Sequence, residues 1–530
     1  MATSSLVTLL ALTASTSSVT IQIDDRTPGK PISDLIYGRN DLSFGKHDTD
    51  LTYPIVRFGG NATSRYNWQQ NAWNAGKDWF YLNIVFPYQP RVGKFSGNFS
   101  YTDAIILKQS SLGQDTLITI PMIGWVAKNR ETAWGYSIKK FGKQQQTEQD
   151  QSRGDAGNGR LPDGSPLKKG SPVDTSVAAT PEFMGQWVKH NLALTSKHVP
   201  KGPMVRFYAL DNEPMLWHDT HQDLRYGDPK LKSPEVGYDE LWERTVAYGT
   251  AIRKADPQAK ILGPAEWGWC SYMSSAQDQC KSGPDRAAHG GKPLLAWYLK
   301  KVCEHQKKTG IRLIDYLDIH YYPMTEKSLE DESHEGQKLR YEATRSLHEK
   351  GFKDGSWIEE SIELVPRMKK WIKEECPDTK LAITEYRFGA AAEGLSSTLA
   401  NAEALAIFGQ QGVDLATFWG HIPKDSKLEG AFALYLDYDG KGASARSGTS
   451  LKAISSRSAD IPAYAIQTKD RMLVYVFNKS QQDYAVDWQG LNQWKMERSF
   501  VINGRQKLSE AKSLAKVEAR SAALFEWRKK

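Results

Sequence analysis

The chain has 530 residues, of which 40% are hydrophobic and 25% charged, with Lys+Arg 69 against Asp+Glu 62. These fractions exclude a disordered, collagen-like or disulfide-scaffold chain, and at roughly 100–200 residues per domain the length suits several domains or one large barrel with an accessory domain. The net charge of +7 sits mostly in a tail, with ten Lys/Arg against five Asp/Glu from Asp487 onward, and no clustered basic stripe of the kind that holds nucleic-acid phosphates is present.

No stretch approaches the ~20 apolar residues of a membrane span. The 17 tryptophans exceed what a packed core needs, so they belong either to a Trp-rich core or to a cleft for flat, hydroxylated rings. Residues 1–18 carry a short apolar run, Leu6 to Leu12, followed by small residues but without a basic start. They read as a signal or leader and point weakly to secretion. Cys270 and Cys280 either close a loop disulfide or stay as buried thiols, and the absence of a CxxC pair disfavours a zinc knuckle.

In chain order, Val19–Asp24 reads as a strand. Eight short, largely apolar runs follow, at Leu35–Gly38, Ile55–Phe58, Leu117–Ile123, Val205–Leu210, Lys260–Leu262, Tyr316–His320, Leu381–Thr384 and Val413–Phe418. Apolar on both faces, they suit a covered parallel sheet. Helical patterns separate the later ones. Thr180-Pro181 is an N-cap and N1 pair, and Leu295 to Cys303 is an i, i+3, i+4 stripe stopped near Gly310. Ser356 with Glu359 predicts a capping box for a helix ending at Cys376-Pro377, and Ser397–Gln411 stops at Gly412. This alternation is the signature of a (β/α)8 barrel of the α/β class, placed at residues 31–428. Gln144–Pro172, rich in Gly, Gln, Asp and Lys, is expected as an extended rim loop, and Gly268–Gly291 as a second insertion. After about Gly430 the pattern turns to period-two alternation. Residues 429–530, joined by a first strand at 19–30, are therefore expected to form an antiparallel β-sandwich built from both chain ends.

In a barrel, chemistry gathers at the C-terminal ends of strands. Those positions hold Arg57, Gly59, Gly60 and Asn61, then Asp211, Asn212 and Glu213, then His320 and Tyr322, then Glu385, then Trp419. Two strands thus deliver a glutamate each. Paired carboxyls are what glycoside hydrolysis requires, one protonated to donate to the leaving oxygen and one ionised to attack the anomeric carbon.

The runs Ala209–Trp217, Leu381–Tyr386, Arg57–Asn61 continuing to Tyr66–Trp68, Asn74–Trp79, Leu117–Lys128 and Asp354–Trp357 resemble glycoside hydrolase family 44. The resemblance implies a retaining endo-β-1,4-glucanase acting on cellulose derivatives, mixed-linkage glucan or xyloglucan, with Glu213 as acid/base and Glu385 as nucleophile. It also implies that Asn212 hydrogen-bonds the sugar 2-hydroxyl and that Arg57 keeps Glu385 ionised. His320 and Tyr322 would orient Glu385 or the sugar, Asn61 and Trp68 would join the binding set, and Trp419 would form a stacking floor before a cis peptide to Gly420. A monomer acting on polysaccharide, needing no cofactor for catalysis, is expected. Where relatives carry an acidic residue associated with a structural calcium, this chain has Gln69. Asp150, Asp155, Asp163 and Asp174 offer oxygen ligands nearby, with no set assignable. His218, Asp219, His221 and Asp223 fit a rim loop better than a metal set. A β-1,4-xylanase or mannanase in the same barrel, and a non-catalytic glycan-binding protein, are the alternative readings.

Overall fold

The computed structural model describes residues 17–530 apart from 28, 41–48, 50, 149–152, 326, 328 and 512–515, so most of the expected leader lies outside the described residues. The chain divides into two compact units, one of Ile32–Phe432 and one combining the described residues up to Pro31 with Ala433–Lys530.

The larger unit is a closed parallel barrel of β1 (Gly38–Asn40), β2 (Ile55–Phe58), β3 (Asp115–Ile120), β4 (Phe207–Leu210), β5 (Lys260–Glu266), β6 (Tyr316–Tyr321), β7 (Lys380–Tyr386) and β8 (Leu415–Phe418). It closes where Thr417 and Phe418 pair with Gly38 and Arg39. Ile55, Leu117, Phe207, Ala209, Leu262, Tyr316, Ala382 and Leu415 fill its interior, so it is a packed core with its chemistry at one mouth. The helices α1 (Pro181–His198), α2 (Leu294–Thr309), α3 (Leu364–Glu375) and α4 (Leu395–Gln411) lie between strands. Thr180 caps α1, and Gly310 and Gly412 end α2 and α4 in the left-handed conformation.

Two local expectations are corrected. The first strand begins at Gly38, because the Ser33 side chain accepts from the Leu35 N–H and winds Asp34–Tyr37 into a 3-10 turn. Ser356 and Glu359 do not start α3. Ser356 accepts from the Ile358 N–H in a local turn, Glu359 is left-handed at φ 57°, and the helix begins at Leu364. Both cysteine pairs are bonded: Cys270–Cys280 closes the loop after β5, and Cys303–Cys376 ties α2 to the residue after α3.

Among the described residues, the smaller unit is a ten-stranded sheet. Ser18–Asp24 pairs antiparallel with Thr449–Ser455 and parallel with Tyr484–Gln489, so the sheet is mixed where the alternation suggested antiparallel pairing alone. Trp488 contacts Phe525 and Trp527, whose strand lies far from its own in the ladder. The sheet thus folds over itself around one core, with Val19, Ile21, Val474 and Phe525 among its members. No helix among the described residues is long and apolar enough to cross a membrane.

Candidate active site

The ends of β2, β4, β6 and β7 bring Arg57, Glu213, His320 and Glu385 to the barrel mouth. Arg57, fully buried on β2, forks across three neighbours. Nη1 donates to Glu385 Oε1 at 2.7 Å and to Asn40 Oδ1 at 3.0 Å, and Nη2 donates to Asn212 Oδ1 at 2.8 Å. Asn40 in turn donates to the carbonyls of Thr384 and Phe418, stitching β1 to β7 and β8 beneath the site. The paired glycines after Phe58 have a steric cause. A Cβ on Gly59 would meet the Arg57 guanidinium at 2.2 Å, and one on Gly60, at φ 99°, would meet the Trp419 ring at 2.4 Å.

Glu213 stands just past β4 in an unusual backbone. Asp211 and Glu213 both have positive φ, 66° and 48°. Such conformations cost of order 1–3 kcal/mol each and persist only where the surroundings impose them. Here the Asp211 carboxylate accepts from Ser64 Oγ and from the N–H groups of Met122, Ile123 and Asn212, while the Glu213 N–H donates to the Ala265 carbonyl. The turn is pinned to the loops after β2 and β3 and to β5.

The two glutamates meet through β6. His320 Nδ1 lies 2.8 Å from Glu213 Oε1 and 3.5 Å from Glu385 Oε2, and Tyr322 donates to Glu385 Oε2 at 2.7 Å. One oxygen from each glutamate and one nitrogen of His320 lie within 4.8 Å of one another. Burial raises the Glu213 carboxyl to about 7, against the opposing pull of Arg57. Burial also lowers His320 to about 3, so its imidazole is neutral and Arg57 supplies the positive charge beside the pair. Such a site can hold one carboxyl protonated beside an ion-paired one.

Above the pair opens a cleft of about 400 Å³, walled by Trp73, Trp419, Phe58, Asn61 and Asp78. Of the sequence-predicted residues, Arg57, Asn61, Asn212, Glu213, His320, Tyr322, Glu385 and Trp419 come together here. Trp68 does not: the chain turns back between Asn67 and Ala72, sending its ring onto Phe183 and His190 of α1, while Trp73 on the returning strand faces the cleft. Trp217, which follows the β4 turn, is fully buried with the Arg225 and Arg244 guanidinium groups over its ring. The peptide after Trp419 is trans; among the described residues the cis bond is Gly263–Pro264. Sequence reading missed Asn40, Asp78 and two buried carboxyls, Glu266 at the end of β5 and Asp318 within β6.

Among the described residues, the rim carboxylates are each engaged by separate protein partners. Asp155 accepts from Trp134, Ser137 and the Lys139 N–H, Asp163 caps Ser165, and Asp174 pairs with Lys140 at 2.6 Å. Asp150 lies outside the described residues. Asp219 and Asp223 have separate cationic partners, Lys77 and Arg65.

A family model described as glycoside hydrolase family 44 matches residues 72–325. The solved structure of CelM2, a bifunctional glucanase-xylanase from a metagenome library, is 31% identical, with a TM-score of 0.87 over 97% of this chain and 99% of that one. Two curated relatives are similar along most of the chain. Beta-mannanase/endoglucanase A of Caldicellulosiruptor saccharolyticus is 29% identical over 85% of this chain, and Endoglucanase A of Paenibacillus lautus is 27% identical over 89%. The chain spans 33% and 65% of the length of these two relatives.

Proposed function

The chain belongs to glycoside hydrolase family 44, and from that premise we propose that it cleaves β-1,4-glucan chains internally, with retention of anomeric configuration. The observation that carries this reading is the carboxyl pair, with one oxygen of each glutamate within 4.8 Å of the other. Retaining enzymes hold their carboxyls ~5–5.5 Å apart, whereas inverting ones leave ~6.5–9.5 Å for a water.

In the first step Glu385, its oxygens fixed by Arg57 and Tyr322, attacks the anomeric carbon while Glu213 gives its proton to the glycosidic oxygen. The released chain end leaves as an alcohol. In the second, Glu213, now a carboxylate, takes a proton from water, whose oxygen displaces Glu385 and restores both groups. Asn212 Oδ1 is committed to Arg57 and to the Gly60 N–H and one N–H of its Nδ2 to Asn61, which leaves the second N–H to donate to the sugar 2-hydroxyl. Trp73 and Trp419 supply faces on which pyranose rings stack. Cellulose derivatives, mixed-linkage glucan and xyloglucan are the substrates of this reading. The two disulfides support an oxidising, extracellular setting.

Glu213→Gln and Glu385→Gln are each expected to cut reducing-sugar release from carboxymethylcellulose by at least about a thousandfold, the scale on which nucleophile and proton donor act. Turnover near wild type in both would overturn the assignment. A second reading, that xylan is also cleaved, is favoured by the dual glucanase-xylanase name of the 31% identical relative. Side-by-side rates on carboxymethylcellulose, xyloglucan, xylan and mannan decide it.

A further inference from the structure

We propose that the Asp78 carboxylate is a sugar-hydroxyl acceptor on the wall of the cleft that follows β2, and that it sets the orientation of the Asn61 amide, through which a run of hydrogen bonds continues to Asn212 and the nucleophile's counter-ion. The proposal rests on the glycosidase reading above.

The side chains form a continuous run of hydrogen bonds. Arg57 donates to Glu385 with one nitrogen and to Asn212 Oδ1 with the other. Asn212 Oδ1 also accepts from the Gly60 N–H at 3.2 Å, so the oxygen of this amide is fully committed and its Nδ2 must turn the other way. That nitrogen donates to Asn61 Oδ1 at 3.1 Å. Asn61 Nδ2 then donates to both oxygens of Asp78, at 3.2 and 3.3 Å. An ionised carboxylate only accepts, so the run has one sense, starting at a group that only donates and ending at one that only accepts.

Asn61 uses a single N–H direction on Asp78, which leaves lone pairs of both oxygens open to the cleft that Asp78 lines together with Glu213. Charged acceptors bind hydroxyl donors more strongly than neutral ones, and a glucan chain is covered in hydroxyls. The turn that carries Asp78 is held in place. Asn74 accepts from the Gly76 N–H at 2.9 Å, and Lys77 pairs with Asp219. The wall is therefore built before any sugar arrives.

Asp78 also faces Glu213 electrically. Around Glu213 stand Arg57 of β2, Glu266 of β5, Tyr272 of the loop after β5, His320 of β6, Tyr322 just past β6 and Glu385 of β7, in addition to Asp78. Around Asp78 stand Asn61, Lys77 and Asp219. A negative charge here favours the protonated form of Glu213.

The test is the pH profile of kcat/KM on hydroxyethylcellulose for wild type, Asp78→Asn and Asn61→Ala. Asp78→Asn keeps the shape and removes the charge. Its kcat/KM is expected to fall about tenfold to a hundredfold, and its alkaline midpoint to move down by about half a pH unit. Asn61→Ala cuts the run one residue earlier while leaving the charge, and is expected to lower kcat/KM with the midpoint in place. An Asp78→Asn profile superimposable on wild type overturns the proposal. Should that variant fail to fold, wild-type kcat/KM in Asn61→Ala overturns it equally. Wild-type protein that releases no reducing ends from any glucan would overturn the glycosidase reading itself, whereas wild-type turnover with an unaltered Asp78→Asn profile removes the present proposal alone.

Discussion

Arg57 and Tyr322 each hold one oxygen of Glu385, and the two contacts differ in kind. Arg57 is a buried fork shared with Asn40 and Asn212, so its loss disturbs three partners at once. Tyr322 makes one bond to the carboxylate. Tyr322→Phe is therefore expected to lower kcat about tenfold to a hundredfold with the fold intact, since a hydrogen bond to a charged group contributes about 1.5–3 kcal/mol; steady-state kinetics with a melting curve check both halves. Glu213, raised to about 7, must be protonated to act as the acid, so kcat/KM should decline on the alkaline side with a midpoint near pH 7. A rate profile flat from pH 6 to 9 would contradict that role.

At the scale of elements, the β2, β4, β6, β7 and β8 strand ends were legible because each couples an apolar run to a polar group at its end. Asn40 was hidden by a single misplaced boundary. Once the Ser33 turn consumes Leu35–Tyr37, β1 ends at Asn40 and its place beside Arg57 follows. Asp318 carried a usable signal, a charged residue inside an apolar strand. Trp68 against Trp73 was not legible, because the direction of each ring depends on how the Asn67–Ala72 turn reverses the chain. The cysteine pairing also needed three dimensions, as Cys303 and Cys376 are separated by 73 residues and meet only when α2 packs beside α3. Closing so long a loop removes roughly 4 kcal/mol of unfolded-chain entropy. Replacing both cysteines by serine is thus expected to lower Tm by several degrees without changing kcat, as scanning calorimetry and a rate assay would register.

For the whole molecule, the barrel mouth concentrates acids whose burial raises them: Asp211 to about 6, Glu213 and Asp318 to about 7, and Glu266 well above the usual range. In the unfolded chain such groups ionise near 4. The folded state therefore binds more protons than the unfolded one between about pH 4 and 7, and stability from these groups is lost as pH rises through that window. Glu213→Gln removes one such group, so its Tm should exceed wild type at pH 8 and converge with it at pH 5. The smaller unit adds a constraint of time. Thr20 bonds Ser456 across 436 residues of sequence, and at a synthesis rate of about 5–20 residues per second the Ser18–Asp24 strand waits roughly 20 to 90 seconds for Thr449–Ser455. Until then that strand lacks both of its sheet partners, and an unpaired strand edge is a template for pairing with another chain.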